Sequence, residues 1–111
     1  MGLGHRARCA LRACGTIAAL QFLEAVGHGT HTMRILLAED ERELGSWLVR
    51  ALGQSGFQVD WVDDGRLVRH SLKSTRYDAL ILDLGLPGLG GREVLEDLRE
   101  AGQRLPVLIL T

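Results

Sequence analysis

Several things are scarce in this chain, and each shortage narrows the reading. Among 111 residues there are two prolines, two cysteines, one lysine and few aromatic residues. With so little proline, nearly half the residues apolar and about a quarter charged, the composition fits one modest globular domain rather than a disordered segment. No apolar run reaches the 18 or so residues needed to cross a bilayer, so no membrane contact is expected. Neither sign of charge dominates, and a net charge of -1 offers no bulk attraction to nucleic acid or to a membrane surface. The two cysteines, Cys9 and Cys14, would need two further ligands to hold zinc; the nearest candidates, His28 and His31, sit in a glycine-rich joint. Free reduced thiols are expected.

The character of the chain changes near residue 32. Residues 1–32 carry three arginines (Arg6, Arg8, Arg12) against one acid, Glu24, a net charge of +2, whereas residues 33–111 carry ten basic and thirteen acidic residues, a net charge of -3. A secretory signal would need an uninterrupted apolar stretch, and "RARCALRACGTIAAL" is broken at Arg12. The expected organisation is therefore a flexible amino-terminal extension over 1–32 and a domain beginning at Met33.

From Met33 onward a regular alternation emerges. "RILLA" is an apolar strand, and "ERELGSWLVRALGQSG" places Leu44, Trp47, Leu48, Ala51 and Leu52 at helical spacing, all expected in the core. "FQVDWV" alternates as a half-buried strand. "DDGRLVRHSLKSTR" predicts a weaker helix with Leu67, Val68 and Leu72 inward and His70 on the solvated side. "DALILDL" is a third strand, "GREVLEDLREAG" a third helix with Val94, Leu95 and Leu98 on one face, and "PVLILT" a fourth strand. The order βαβαβαβ with near-continuous apolar strands implies an α/β fold: a parallel sheet with helices on both faces, joined by right-handed crossovers.

In such sheets ligands sit outside the carboxyl ends of the strands, where strand order reverses. Glu39 and Asp40 follow the first strand, Asp83 closes the third and Thr111 closes the fourth. Gathered carboxylates repel one another unless a cation joins them, and magnesium prefers one or two carboxylates plus a phosphate oxygen. An aspartate at a strand end, followed by glycine, can act as a nucleophile toward a phosphoryl group. Blander uses are open for each residue: Asp83 as a turn cap, Glu39, Asp40 and Glu41 as the acidic first turn of a helix, Thr111 as a β-prone strand residue.

With "AEDE" after the first strand, "LILDLGLPGLGG" around Asp83 and "PVLILT" at the fourth, residues 33–111 resemble the receiver domain of two-component response regulators, most closely the subfamily carrying a winged-helix DNA-binding domain. The resemblance implies a flavodoxin-like sheet, Asp83 as phosphoacceptor, and Mg2+ held by Glu39, Asp40, Asp83 and the backbone carbonyl of Gly85. It implies Pro87 and Gly91 as parts of the adjoining loop and Thr111 as the switch hydroxyl. By the same resemblance the phosphoryl donor would be a sensor histidine kinase, the location cytoplasmic, and the chain a phosphoacceptor rather than an enzyme. The family's fifth strand, with its lysine, and its last two helices would lie beyond Thr111, so the domain is expected to be partial, with an exposed fourth-strand edge prone to self-association. No contact with nucleic acid by this chain itself is expected.

Two other chemistries fit less well. A haloacid-dehalogenase-type phosphatase would carry a second acid two residues after the nucleophile, where Gly85 stands, and a nucleotide or flavin binder would want a Gly/Ser/Thr-rich loop where "AEDERE" is acidic. The remaining rival is a receiver-like interaction module that docks partners without phosphoryl chemistry.

Overall fold

The structure, a computed structural model, describes residues 32–110. The expected extension, apart from Thr32, and the hydroxyl of Thr111 lie outside the described residues. Seven elements follow in order: β1 (Arg34–Ala38), α1 (Arg42–Gln54), β2 (Gln58–Val62), α2 (Gly65–Ser74), β3 (Ala79–Asp83), α3 (Gly91–Glu100) and β4 (Val107–Leu110). This is the alternation that the apolar periodicity predicts.

All strand pairs are parallel and the sheet runs β2-β1-β3-β4. The order explains the strand sequences. Central β1 and β3 have helices above and below, and "ALILD" is buried at every position, whereas outer β2 is exposed or half-buried throughout. Because strand side chains alternate, β1 and β3 serve two separate cores. Ile35, Leu37, Ala79 and Ile81 pack with Leu48 and Leu52 of α1. Leu36, Ala38, Leu80 and Leu82 pack with Val68 of α2 and with Val94 and Leu98 of α3 on the opposite face. Each buried Leu or Ile contributes about 1.5–3 kcal/mol of hydrophobic stabilisation. An ion pair between Arg69 and Asp97 joins α2 to α3.

Two inward positions are corrected. Trp47 is 44% exposed and Leu67 45% exposed. α1 presents a narrow stripe of Gly45, Leu48 and Leu52 to the sheet, and Trp47 stands about 100° around the helix from Leu48, off the buried line. On α2, Gly65 and Val68 are the fully buried positions, so neighbouring Leu67 turns outward. His70 is exposed, as expected.

Candidate functional site

β1 and β3 are adjacent and in register, Ala38 opposite Leu82. The next residue on each, Glu39 and Asp83, therefore emerges at the same level of the carboxyl edge, and Asp40 follows at the entrance to α1. One carboxylate oxygen from each of Glu39, Asp40 and Asp83 lies within 4.8 Å of the others. Glu39 and Asp83 are buried and Asp40 is exposed. Like charges about 4 Å apart repel by about 1 kcal/mol in water and about 4 kcal/mol at an effective dielectric of about 20. The donor set is made of oxygen alone, which suits a hard divalent cation such as magnesium and gives thiolate- or imidazole-seeking metals no ligand.

The backbone around these carboxylates is held on several sides. The N–H of Glu39 donates to the carbonyl of Val62 at 3.0 Å, and its own carbonyl accepts from the indole Nε1 of Trp61 at 2.8 Å. Asp83 Oδ1 accepts from the N–H of Gly85 at 3.0 Å, which folds the following loop back over the carboxylate. The loop is then tied down where the N–H of Gly65 donates to the carbonyl of Pro87 at 3.2 Å. Gly91 opens α3 beneath the end of β3, where a Cβ would stand 2.6 Å from the backbone oxygen of Asp83. Only glycine admits that approach. Beside Asp40, a cavity of about 300 Å³ is lined by Asp40, Arg42, Trp61, Val62, Asp63 and Leu67.

Near the amino ends of the strands charge is arranged differently. The guanidinium of Arg34 donates to Asp60 Oδ2 at 2.9 Å from Nη2 and 3.1 Å from Nε, and lies 5.5 Å from the centre of the Tyr77 ring. The Tyr77 hydroxyl donates to the same oxygen at 2.6 Å. That hydroxyl bond, followed by Arg34, holds the Asp60 carboxyl below its ordinary value against the opposing effect of burial. Burial, then the bond to Asp60, pushes the Tyr77 phenol up.

Of the residues expected at the site, Glu39, Asp40 and Asp83 are brought together, and Gly85 joins them through its N–H. Trp61 was not anticipated: the alternating pattern of "FQVDWV" marks it only as a strand residue, although an indole at the carboxyl end of an outer strand is a donor within reach of the neighbouring loop. No helix among the described residues is long and apolar enough to cross a membrane.

Known proteins fit this geometry. The response regulator receiver domain family matches residues 35–111. The transcriptional regulatory protein TctD of Salmonella typhimurium is 54% identical over 79 residues, which are 71% of this chain and 35% of that protein. The transcriptional regulatory protein QseB of Escherichia coli O157:H7 is 53% identical over 79 residues, again 71% of this chain and 36% of that protein. The chain thus spans about a third of the length of these curated relatives. Among solved structures, the response regulator protein TrrA of Thermotoga maritima, in complex with Mg2+ and BeF, superposes with a TM-score of 0.65 at 29% identity, covering 68% of this chain and 66% of that one. A parallel βαβαβαβ sheet with an acidic carboxyl edge, matched along residues 35–111, makes this chain a member of the response regulator receiver domain family of two-component systems.

Proposed function

We propose that this receiver domain accepts a phosphoryl group on Asp83, with Mg2+ held by the carboxylates of Glu39, Asp40 and Asp83 and by the backbone carbonyl of Gly85. The observation that carries this reading is the convergence of three carboxylates from two separate segments within 4.8 Å. A set of carboxylate oxygens gathered this closely suits a hard divalent cation, which favours their ionised form. When bound, magnesium also neutralises charge on the oxygens of the transferring phosphoryl group.

The residues of the chain would divide the work. Asp83 supplies the nucleophilic oxygen: an O–P bond forms as the N–P bond of a phosphohistidine breaks, and the electron pair stays on the imidazole. The phosphohistidine would belong to a sensor histidine kinase. The N–H of Gly85 fixes the other requirement, orientation, by holding one Asp83 oxygen so that attack comes from a defined direction. Glu39 and Asp40 act on the cation and take no covalent part. The names of TctD and QseB suggest that the controlled output is transcription, carried by parts of such proteins outside the segment matched here.

Intact-mass spectrometry after incubation with acetyl phosphate and Mg2+ tests the reading. Wild type gains one phosphoryl group, Asp83→Asn gains none, and Asp78→Asn, at the other end of β3, is labelled like wild type. Equal labelling of wild type and Asp83→Asn overturns the assignment. Absence of labelling in wild type favours a receiver-like interaction module.

A further inference from the structure

We infer that Trp61 is a positioning residue for the cation site: its indole N–H holds the backbone of Glu39, and through it the acidic turn, in the conformation that binds a divalent ion. The inference rests on the proposed Mg2+ site at Glu39, Asp40 and Asp83 and adds a residue that touches neither the ion nor the phosphoryl group.

Three observations carry it. Trp61 Nε1 donates to the carbonyl of Glu39 at 2.8 Å, at the point where β1 ends and the acidic turn begins. The preceding peptide is gripped as well, through the N–H of Glu39, which donates to the carbonyl of Val62, so β2 holds Glu39 by its backbone on both polar groups. A side chain that carries a buried carboxylate into a crowded cluster needs its backbone fixed, because small rotations there swing the carboxylate by an ångström or more. Second, the ring itself is placed by a gap in α1. It lies across Gly45, and any side chain at 45 would overlap it. Gly45 and Trp61 form a matched pair, the missing side chain of one making room for the indole of the other. Third, Trp61 and Asp40 line the same cavity of about 300 Å³, so the indole also bounds the space beside the exposed carboxylate.

Burial alone does not account for this arrangement. Trp61 remains 38% exposed, less a core residue than a strut whose one polar atom is spent on the site. The bond is formed without the ion, so its loss costs stability as well as order at the acidic turn, and Mg2+ binding is expected to weaken by at most roughly tenfold without unfolding the domain.

Titration calorimetry with Mg2+ on the full chain tests the inference, alongside thermal melting. The variants are Trp61→Phe and a chain with benzothienylalanine at 61, which replaces only the indole N–H by sulfur and keeps the ring. Trp47→Phe is the control, since Trp47 is exposed and lies off the buried line of α1. Both changes at 61 should weaken binding, with a fall in melting temperature of several degrees at most for the benzothienylalanine chain and a larger one for Trp61→Phe, and phosphoryl uptake by both should return to the wild-type level at saturating Mg2+. Trp47→Phe should bind as wild type. Wild-type affinity in the benzothienylalanine chain overturns the positioning role and leaves the site standing, and it decides the matter even if Trp61→Phe misfolds. Failure of wild type itself to bind Mg2+ overturns both readings. With Trp47 replaced, Trp61 is the sole tryptophan, and its emission should change with Mg2+ at the calorimetric midpoint; a silent emission counts against contact between the indole and the acidic turn.

Discussion

Toward the amino ends of the strands, Arg34, Asp60 and Tyr77 meet as complementary groups: one carboxylate, one guanidinium and one phenol share a single oxygen. At the carboxyl ends, three carboxylates meet one another. The same sheet supports both, and the register of its parallel strands is equally regular at each end. The first arrangement lowers the energy of the folded chain by itself. The second gathers oxygen donors of one sign, a set that suits a divalent cation.

The largest effect expected from this contrast is chemical. Asp83→Asn should abolish phosphoryl uptake, whereas Asp60→Asn, on a strand adjoining the same core, should leave it intact; mass spectrometry compares the two directly. Uptake lost equally in both would erase the distinction between the ends.

Backbone packing gives the next largest. Gly91→Ala should cost about 1–3 kcal/mol by urea denaturation, because the new methyl meets the main chain of Asp83 and Leu84, which cannot swing aside. Gly90→Ala, with nothing within 4 Å of its Cβ position, should stay within about 0.5 kcal/mol of wild type. Similar midpoints for the two would mean that α3 does not press on the end of β3.

At the amino end the expected losses are smaller. Arg34→Met should cost about 0.2–1 kcal/mol, the range of solvent-accessible ion pairs, because the side chains of Arg34 and Asp60 are 38% and 35% exposed. A change of several kcal/mol would show that the cluster is far better shielded from water than its exposure indicates.

The smallest effect lies in pH dependence. Asp60 titrates below its ordinary 3.8 in the folded chain, chiefly through the Tyr77 hydroxyl and then Arg34. Its contribution is therefore fully present above that value and disappears as pH falls through the lower folded value. Asp60→Asn should flatten this part of the acid limb. Tyr77 has the opposite sign: its phenol is raised above 10.0, so its contribution holds below pH 10.0 and is lost as pH rises beyond. Tyr77→Phe should remove that alkaline loss. Urea midpoints measured across both limbs check the two signs, and unchanged limbs in both variants would remove the cluster as a source of pH dependence.

Much of the fold was legible in the order of residues. Apolar periodicity located the four strands and three helices of the described residues, because strand and helix periods are local properties of consecutive side chains. The acids were legible as strand-end residues for the same reason. Helix faces were less so. Trp47 and Leu67 are apolar and sit near helical spacing, yet both turn outward, since each helix rests on the sheet along a narrow line and the periodic pattern cannot say where that line runs. Trp61 was invisible as a site residue, because its role depends on a backbone oxygen 22 positions away and on a missing side chain at Gly45.

By itself the sequence determined the alternation of elements, the continuous burial of β3 and the presence of Asp83 at a strand end, all consequences of spacing along one stretch of chain. It also carried the likeness to receiver domains in short acidic and glycine-containing motifs. Only the tertiary structure decided which strands are neighbours, and with them whether Glu39 and Asp83, 44 residues apart in sequence, share a site. The reason is that strand order depends on how helices pack over both faces of the sheet. Once β1 and β3 are paired with Ala38 opposite Leu82, the convergence of the carboxylates follows from register, and the hold of Trp61 on Glu39 follows from β2 lying against the other side of β1.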